Sequence, residues 1–362
     1  MFLRRSGAQA TGGRGGSVYV VINLNDFGEG SLRDAVSESN RIVVFAVGGF
    51  ITISDRIVVS NHVTIAEQTS LINCDSGKDA ITIANGENMI FGHVSVSWGR
   101  APSTATIIAQ GLETHSCGGL IQTDGGVSIL RSLYIDNQTR NPKVKGVNDF
   151  VNNVVYNWGG GGGYIAGDSA GQSYTNIIGN VFISGPSTSI HPFTSGNENF
   201  HAYMSDNYYD PDQDGTSNGW VLSAITDNYS DIDFQTSRYN YPTVVTLLSS
   251  SQVLASVSAS AGASKVRDRV DTYLIGTELG LLGTQGALIS DPTTSPINGP
   301  GPIDGGTALT DSDGDGIPDV YESALGTNPN VADSATIASN GYANIKNYFN
   351  SLASKTSEAD SQ

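Results

Sequence analysis

Asn153, Asn180 and Asn207 stand 27 residues apart, each followed by a short run that is apolar or aromatic: Val-Val-Tyr, Val-Phe-Ile and Tyr-Tyr-Asp. A fixed period of this length marks a chain that stacks one small unit on the next, because no single unit can bury its own apolar face. Ser132 before Leu-Tyr-Ile, Thr106 before Ile-Ile-Ala and His93 before Val-Ser-Val occupy similar places, at intervals of 21, 26 and 13. In a parallel β-helix each turn needs three short strands and their bends, roughly 20 residues or more at a rise of about 3.3 Å per residue. The spacing therefore predicts an all-β fold, a parallel β-helix. Thirteen residues cannot go round, so the turn from His93 to Thr106 is expected to be incomplete, leaving neighbouring strands without partners and core side chains exposed.

Beyond residue 219 the pattern changes. Tyr241–Leu248, Gln252–Val257 and Arg267–Ile275 carry apolar residues at three-to-four spacing, which predicts two short helices packed on the solenoid. Residues 291–308 are rich in Pro, Gly, Ser and Thr and read as a linker. The expected organisation is a solenoid over 1–290, with peripheral helices from about 241, then the linker and a small acidic module over 309–362. Near the start, Ser31 is placed to cap a short helix with Asp34 at its third position, blunting the open edge of the first turn. Gly159–Gly163 has no Lys-Ser/Thr after it, so it reads as a flexible bend between coils and not as a phosphate loop.

The chain carries 35 acids against 18 bases, a formal charge of −17. Nucleic acid and anionic membrane both need a broad basic face, so neither is expected as a partner. No apolar run is long enough to span a bilayer. Cys74 and Cys117 are too few for a disulfide framework, and pairing stays open. Against this acidic background, Arg140, Lys143 and Lys145 put three cations into six residues around Pro142. Proline fixes one φ and removes one backbone donor, so the segment is expected to bend, and a rigid cationic bend is suited to holding a carboxylate. Trp98 and Trp158 are expected in the core.

The C-terminal module holds a metal signal. Asp311, Asp313, Asp315, Gly316, Asp319 and Glu322 fall at positions 1, 3, 5, 6, 9 and 12 of an EF-hand-like loop. Alternate carboxylates wrap one hard cation, glycine makes the sharp turn, and the last glutamate binds with two oxygens. This predicts Ca2+ bound in a structural role. Asp210, Asp212 and Asp214 are a weaker echo without the terminal acid, read equally well as an ordinary turn.

The segment Arg140-Asn-Pro142-Lys-Val-Lys145 resembles the R-x-P-x-x-R motif of the pectate lyases, with lysine in the last place. The likeness extends to GGRGGSVYVV, LNDFGEGSLRDAV, NRIVVFAVGG, HVSVSWGR, THSCGGLIQT and KGVNDFVNNVVYNW, spanning most of residues 12–210. The resemblance implies a right-handed parallel β-helix and a secreted, monomeric enzyme that cleaves polygalacturonate, or pectin, by β-elimination. Met1–Arg5 opens like a secretory leader but lacks the apolar stretch that should follow. By the same resemblance Arg140 is the base that removes the C5 proton, Lys145 grips a uronate carboxylate, Lys143 is more peripheral, and His115 is a candidate for the cleft. Asp79 resembles one of the acidic positions that bind the family's catalytic calcium, whereas Gly92 stands where the family has an acid.

Relative to the family, the chain is expected to be shortened between Gln68 and Gly77 and after Arg100, where further acidic positions would fall. An isolated guanidinium is effectively always protonated, so Arg140 needs desolvation and neighbouring cations to act as a base. Without calcium it is a carboxylate clamp. Four readings therefore stay open: a calcium-assisted pectate lyase, a non-catalytic uronate binder, a calcium-independent pectin lyase, and a structural β-helix.

Overall fold

The computed structural model describes residues 11–65, 69–73, 81–82, 90–91, 94–97, 107–109, 117–167, 170–241, 246–264, 266–288, 295–303 and 305–354. Three sheets of four, nine and seven strands, parallel throughout save one terminal antiparallel pair, form the faces of a parallel β-helix. The four-stranded face stacks Ser17–Val21, Arg41–Phe45, Val63–Ile65 and Ile90–Phe91. The nine-stranded face includes Leu133–Ile135, Val154–Tyr156, Val181–Ile183 and Tyr208–Asp210, stacked in the register Leu133↔Val154, Val154↔Val181 and Val181↔Tyr208. The seven-stranded face is built on Lys143–Val151, Ser173–Ile178 and Phe200–Ser205.

The asparagine period is the spine of this stack. Asn153 Nδ2 donates to Asn180 Oδ1 at 3.0 Å and Asn180 Nδ2 donates to Asn207 Oδ1 at 2.9 Å, each pair 27 residues apart. The same oxygens accept the backbone N–H of the coil before, Asn153 onto Asn180 at 2.9 Å and Asn180 onto Asn207 at 3.1 Å. All three asparagines are fully buried. At each bend between strands the chain leaves a backbone donor that no ladder can reach, and one amide per coil satisfies it while passing a bond to the next coil.

The apolar triplets Leu133–Ile135, Val154–Tyr156 and Val181–Ile183 are buried on both faces, which explains why they do not alternate with polar residues. Tyr134, Val155 and Phe182, the middle residues, point into the solenoid with Phe150, Trp158, Tyr164, Phe193 and Phe200. Their neighbours Leu133, Ile135, Val154, Tyr156, Val181 and Ile183 face outward. There they meet Val253 and Val257 of the helix Ser250–Ser260, Val270 of the helix Arg269–Tyr273, and Leu274 and Leu279 of the π and 3-10 turns that continue it. The expected peripheral helices thus exist and cover the nine-stranded face. Ile297, within the Pro/Gly-rich segment, is buried against the same helices. Trp158 is fully buried, as expected, with its Nε1 donating to Ile190 O at 2.9 Å; Trp98 lies outside the described residues.

The first turn is closed as the sequence predicts. Ser31 caps the helix Leu32–Ala35 and accepts from Asp34 N at 3.3 Å, while Leu32 and Ala35 enter the core beside Val21 and Val43. Two expectations are corrected. Val94–Ser97 and Ile107–Ala109 are hydrogen-bonded parallel neighbours, Ser95 opposite Ile107, so the short interval leaves neither strand unpartnered. The nine-stranded sheet runs continuously across it. The glycine run 159–163 is wedged tight: a Cβ on Gly161 would stand 2.3 Å from Thr139 Cβ, and one on Gly163 would stand 2.5 Å from Pro192 O. Glycine is required there by the close stacking of successive turns, not by a need for flexibility.

Candidate active site

Thr139–Pro142 forms a turn held between the turns of the adjacent coils. On one side Gly118 N donates to Thr139 O at 2.8 Å and Gly119 N to Arg140 O at 2.5 Å. On the other, Asn141 N donates to Gly163 O at 2.9 Å and Thr139 Oγ1 to Gly161 O at 3.1 Å. Arg140 adopts the left-handed conformation, with φ of 59°, before a cis Asn141–Pro142 bond. A non-glycine residue is held in that region only where its surroundings fix it, and such positions gather at functional sites. The Asn141 side chain adds a buried brace: its Oδ1 accepts from Asn137 Nδ2 at 3.0 Å.

Lys143 and Lys145 follow on the strand Lys143–Val151. Val144 between them is buried in the solenoid interior, so alternation puts both lysines on the outer face. Lys143 is buried, in register with Leu120 on one side and Ile165 on the other. Lys145 is half-buried, opposite Gln122, and its Cε is 3.2 Å from where a Cβ on Gly171 would lie. Arg140 is half-buried, with Nη1 3.2 Å from the Sγ of buried Cys117. Arg140, Lys143 and Lys145 thus occupy one turn and the outer face of the strand it feeds. Asp79, His115, Gly92 and Cys74 lie outside the described residues.

A second assembly of charge lies in the C-terminal module. Carboxylate oxygens of Asp311, Asp313 and Asp315 fall within 4.8 Å of one another, and so do those of Asp315, Glu322 and Asp333. Asp311 accepts from Gly314 N and Gly316 N, both at 2.9 Å, which folds the loop around its first acid. Asp315 Oδ2 accepts from Asp333 N at 2.8 Å and Ser334 N at 2.7 Å, bringing Asp333 to the cluster. Glu322 is fully buried with no hydrogen-bond partner for Oε2, and Asp313 Oδ2 is likewise buried and unpartnered. Burial, and then Asp313 and Asp315, push the Glu322 carboxyl up to about 7. This donor set of oxygens alone fits a hard divalent cation.

Asp319 stands apart from these clusters. Its carboxylate accepts from Ser312 N at 2.8 Å and Ser312 Oγ at 2.7 Å, bonds that hold its pKa below the usual carboxylate range. Asp333 was not among the residues singled out from the loop pattern, since it lies eleven positions beyond the loop's last acid. Only the turn at Ser334 brings it in.

Two further buried acids were not visible in any motif. Glu278 and Asp136 meet where the π turn Leu274–Glu278 packs on the nine-stranded face, and burial, followed by a hydrogen bond with Asp136, holds the Glu278 carboxyl far above its usual range. Asp210 is also buried, pushed up to about 6 by burial and by Asp212.

A probable pectate lyase C of Aspergillus fumigatus is 56% identical over 391 aligned positions, covering 97% of this chain and 92% of the relative. The chain belongs to the pectate lyase family. A probable pectate lyase C of Aspergillus terreus is 57% identical over 387 positions, covering 96% of this chain and 92% of the relative. Both alignments run over more positions than the 362 residues of this chain, so these relatives carry internal stretches that it lacks, as the motif spacing predicts. No protein-family model matches the sequence. Among solved structures, the major allergen from cedar pollen is 15% identical, covers 71% of this chain and 91% of that chain, and gives a TM-score of 0.45. A pectate lyase bound to a hexasaccharide is 15% identical, covers 63% of this chain and 68% of that chain, and gives a TM-score of 0.39.

Proposed function

We propose that the protein is a secreted, monomeric lyase that cleaves α-1,4-polygalacturonate by β-elimination, and that its missing internal stretches slow the reaction. The observation that carries this reading is the gathering of Arg140, Lys143 and Lys145 on one turn and one strand face of an acidic chain that belongs to the pectate lyase family. Polygalacturonate presents a carboxylate on every sugar, and two lysines on one outer face suit two such groups. Lys145 and Lys143 hold uronate carboxylates, and His115 is a further candidate for substrate binding. Arg140 takes the proton from C5 of the sugar; the C4–O bond breaks as the C4–C5 double bond forms, and the departing oxygen acquires a proton.

Asp79 and further acids would hold the family's calcium, whose chemistry when bound would be to neutralise the substrate carboxylate and so make the C5 proton easier to remove. Among the described residues, both clusters of three acids belong to the C-terminal module and not to the surroundings of Arg140. With Gly92 where the family has an acid, charge neutralisation falls more heavily on Lys143 and Lys145. Among the described residues no helix is long and apolar enough to cross a membrane.

A second reading, polymer binding without turnover, is favoured by one observation: the relatives carry residues this chain lacks. The test is ultraviolet absorbance of unsaturated product released from polygalacturonate, with and without calcium, beside a gel-retardation measurement of polymer binding. The lyase reading expects slow release that Arg140→Ala reduces by about 100-fold or more. Retention of the polymer with no product under any calcium concentration selects the second reading.

A further inference from the structure

The C-terminal module does not hang free of the solenoid. Ile317, at the seventh position of the acidic loop, is fully buried in an apolar cluster with Ala343, Ile345 and Tyr348 from the other side of the module and Ile42 and Val44 from the solenoid's second strand. Val18 and Val20 of the first strand pack against the same cluster. These four solenoid residues are the outward-facing members of Ser17–Val21 and Arg41–Phe45, whose inward-facing Val43 lies in the solenoid core. Gly316 sits so close to the sheet that a Cβ there would stand 3.0 Å from Val44 Cγ2. Arg14 reinforces the contact, with its guanidinium carbon 5.4 Å from the centre of the Tyr342 ring.

The acids of the same loop tie its parts together. Asp315 fastens the loop to the backbone of Asp333 and Ser334, and Ser334 Oγ returns a bond to Asp315 O at 2.8 Å. Asp333 in turn accepts from Asn344 Nδ2 at 2.9 Å, at the start of the helix Asn344–Ser354 that carries Ile345 and Tyr348. Five carboxylates drawn this close repel one another, and the fully buried Glu322 turns an unpartnered oxygen to the group. An uncompensated carboxylate is costly to bury, whereas a divalent cation among them attracts each one and offsets their mutual repulsion.

We propose that Asp311, Asp313, Asp315, Glu322 and Asp333 bind one calcium ion, which locks the module as a clasp over the outer face of the first two solenoid strands. The clasp rests on its own geometry and is independent of the lyase reading. Its role is to cover the four-stranded face, as the helices around Ser250–Ser260 cover the nine-stranded one. Calcium is favoured over magnesium because the ligands come from two separate segments and offer more oxygens than a tight octahedron accepts.

The experiment is hydrogen exchange by mass spectrometry on the full chain, with calcium and after chelation, together with thermal melting and no polymer present. Chelation is expected to increase exchange in Ser17–Val21 and Arg41–Phe45 by about tenfold or more, and to lower the melting temperature by roughly 5 °C. Glu322→Gln and Asp333→Asn should each behave in calcium as the chelated parent does. If Glu322→Gln fails to fold, Asp333→Asn, which keeps its bond geometry to Asn344, still decides the matter. Unchanged exchange in the two strands on chelation overturns the clasp, and an equal response to magnesium overturns the choice of ion.

Discussion

Glu278 is a carboxylic acid that folding keeps protonated. It is almost wholly buried, and burial followed by the neighbouring Asp136 raises its pKa far above the usual range. Once the unfolded chain is above the ordinary glutamate pKa, it has released this proton while the folded chain still holds it. Stability from this residue is therefore complete below about pH 4.3 and falls as pH rises towards the folded value, by up to about 1.4 kcal/mol per pH unit. Glu278→Gln supplies a neutral donor of the same shape. In urea titrations at pH 5, 7 and 9 it should flatten that decline, leaving the variant as stable as the parent at pH 5 and more stable at pH 9; parallel declines would remove the argument. Neither member of the pair could be read from the sequence, because the strand end at Asp136 and the π turn at Glu278 meet only in the folded molecule. Arg140 could be read, since its motif is local: proline and two lysines follow within five residues. The shape of its turn, set by turns from two other coils, could not.

Among elements, the stack of strands depends on a single amide per coil. Asn180 Oδ1 accepts from the N and Nδ2 of Asn153, and its Nδ2 donates to Phe150 O and Asn207 Oδ1. Asn180→Ala strands several buried polar groups at once, each costing about 1–3 kcal/mol. The expected loss is about 3 kcal/mol or more in urea unfolding, whereas Asn350→Ala, at an exposed site on the C-terminal helix, should stay within about 0.5 kcal/mol. A loss at Asn180 no larger than that at Asn350 would mean the ladder is not what holds the coils in register. The ladder was legible because a side chain that must bond its own copy in the next coil repeats at the coil's period. What the period could not show is how a coil of irregular length is absorbed. The interval from His93 to Thr106 reads as too short for a turn; the strands Val94–Ser97 and Ile107–Ala109 pair directly on one face. The apolar triplets gave the strands but not their two-sided burial, since the covering helices come from a hundred residues later in the chain.

The molecule as a whole divides its three faces by what covers them. Helices shield the nine-stranded face and the acidic module shields the four-stranded one, each through an apolar cluster on the outside of the sheet. Among the described residues, the outward positions of the seven-stranded face include buried Lys143 and Asp149 and half-buried Lys145, and Tyr239 and Tyr241 lie over part of it, the Tyr241 hydroxyl donating to Tyr174 O at 3.0 Å. A long acidic polymer needs local positive charge, and on the strand Lys143–Val151 the half-buried Lys145 is the cation that reaches solvent in a chain of net charge −17. The missing internal stretches bear on what happens once the polymer is bound. β-Elimination needs the uronate carboxylate neutralised as well as a base in reach of C5, and attraction by lysines supplies less of the first than a bound divalent ion does. The chain should therefore bind polygalacturonate, weakened by Lys145→Ala and by raised salt, yet release unsaturated product at least about tenfold more slowly than the 56%-identical Aspergillus fumigatus relative under the same calcium concentration. Grafting the relative's extra internal stretches into this chain should recover the rate, while Gly92→Asp alone should recover little, because one carboxylate does not complete a site built from several. Turnover equal to the relative's by the unmodified chain would show that the residues already present neutralise the substrate, and would move the search for those acids to this chain's own coils.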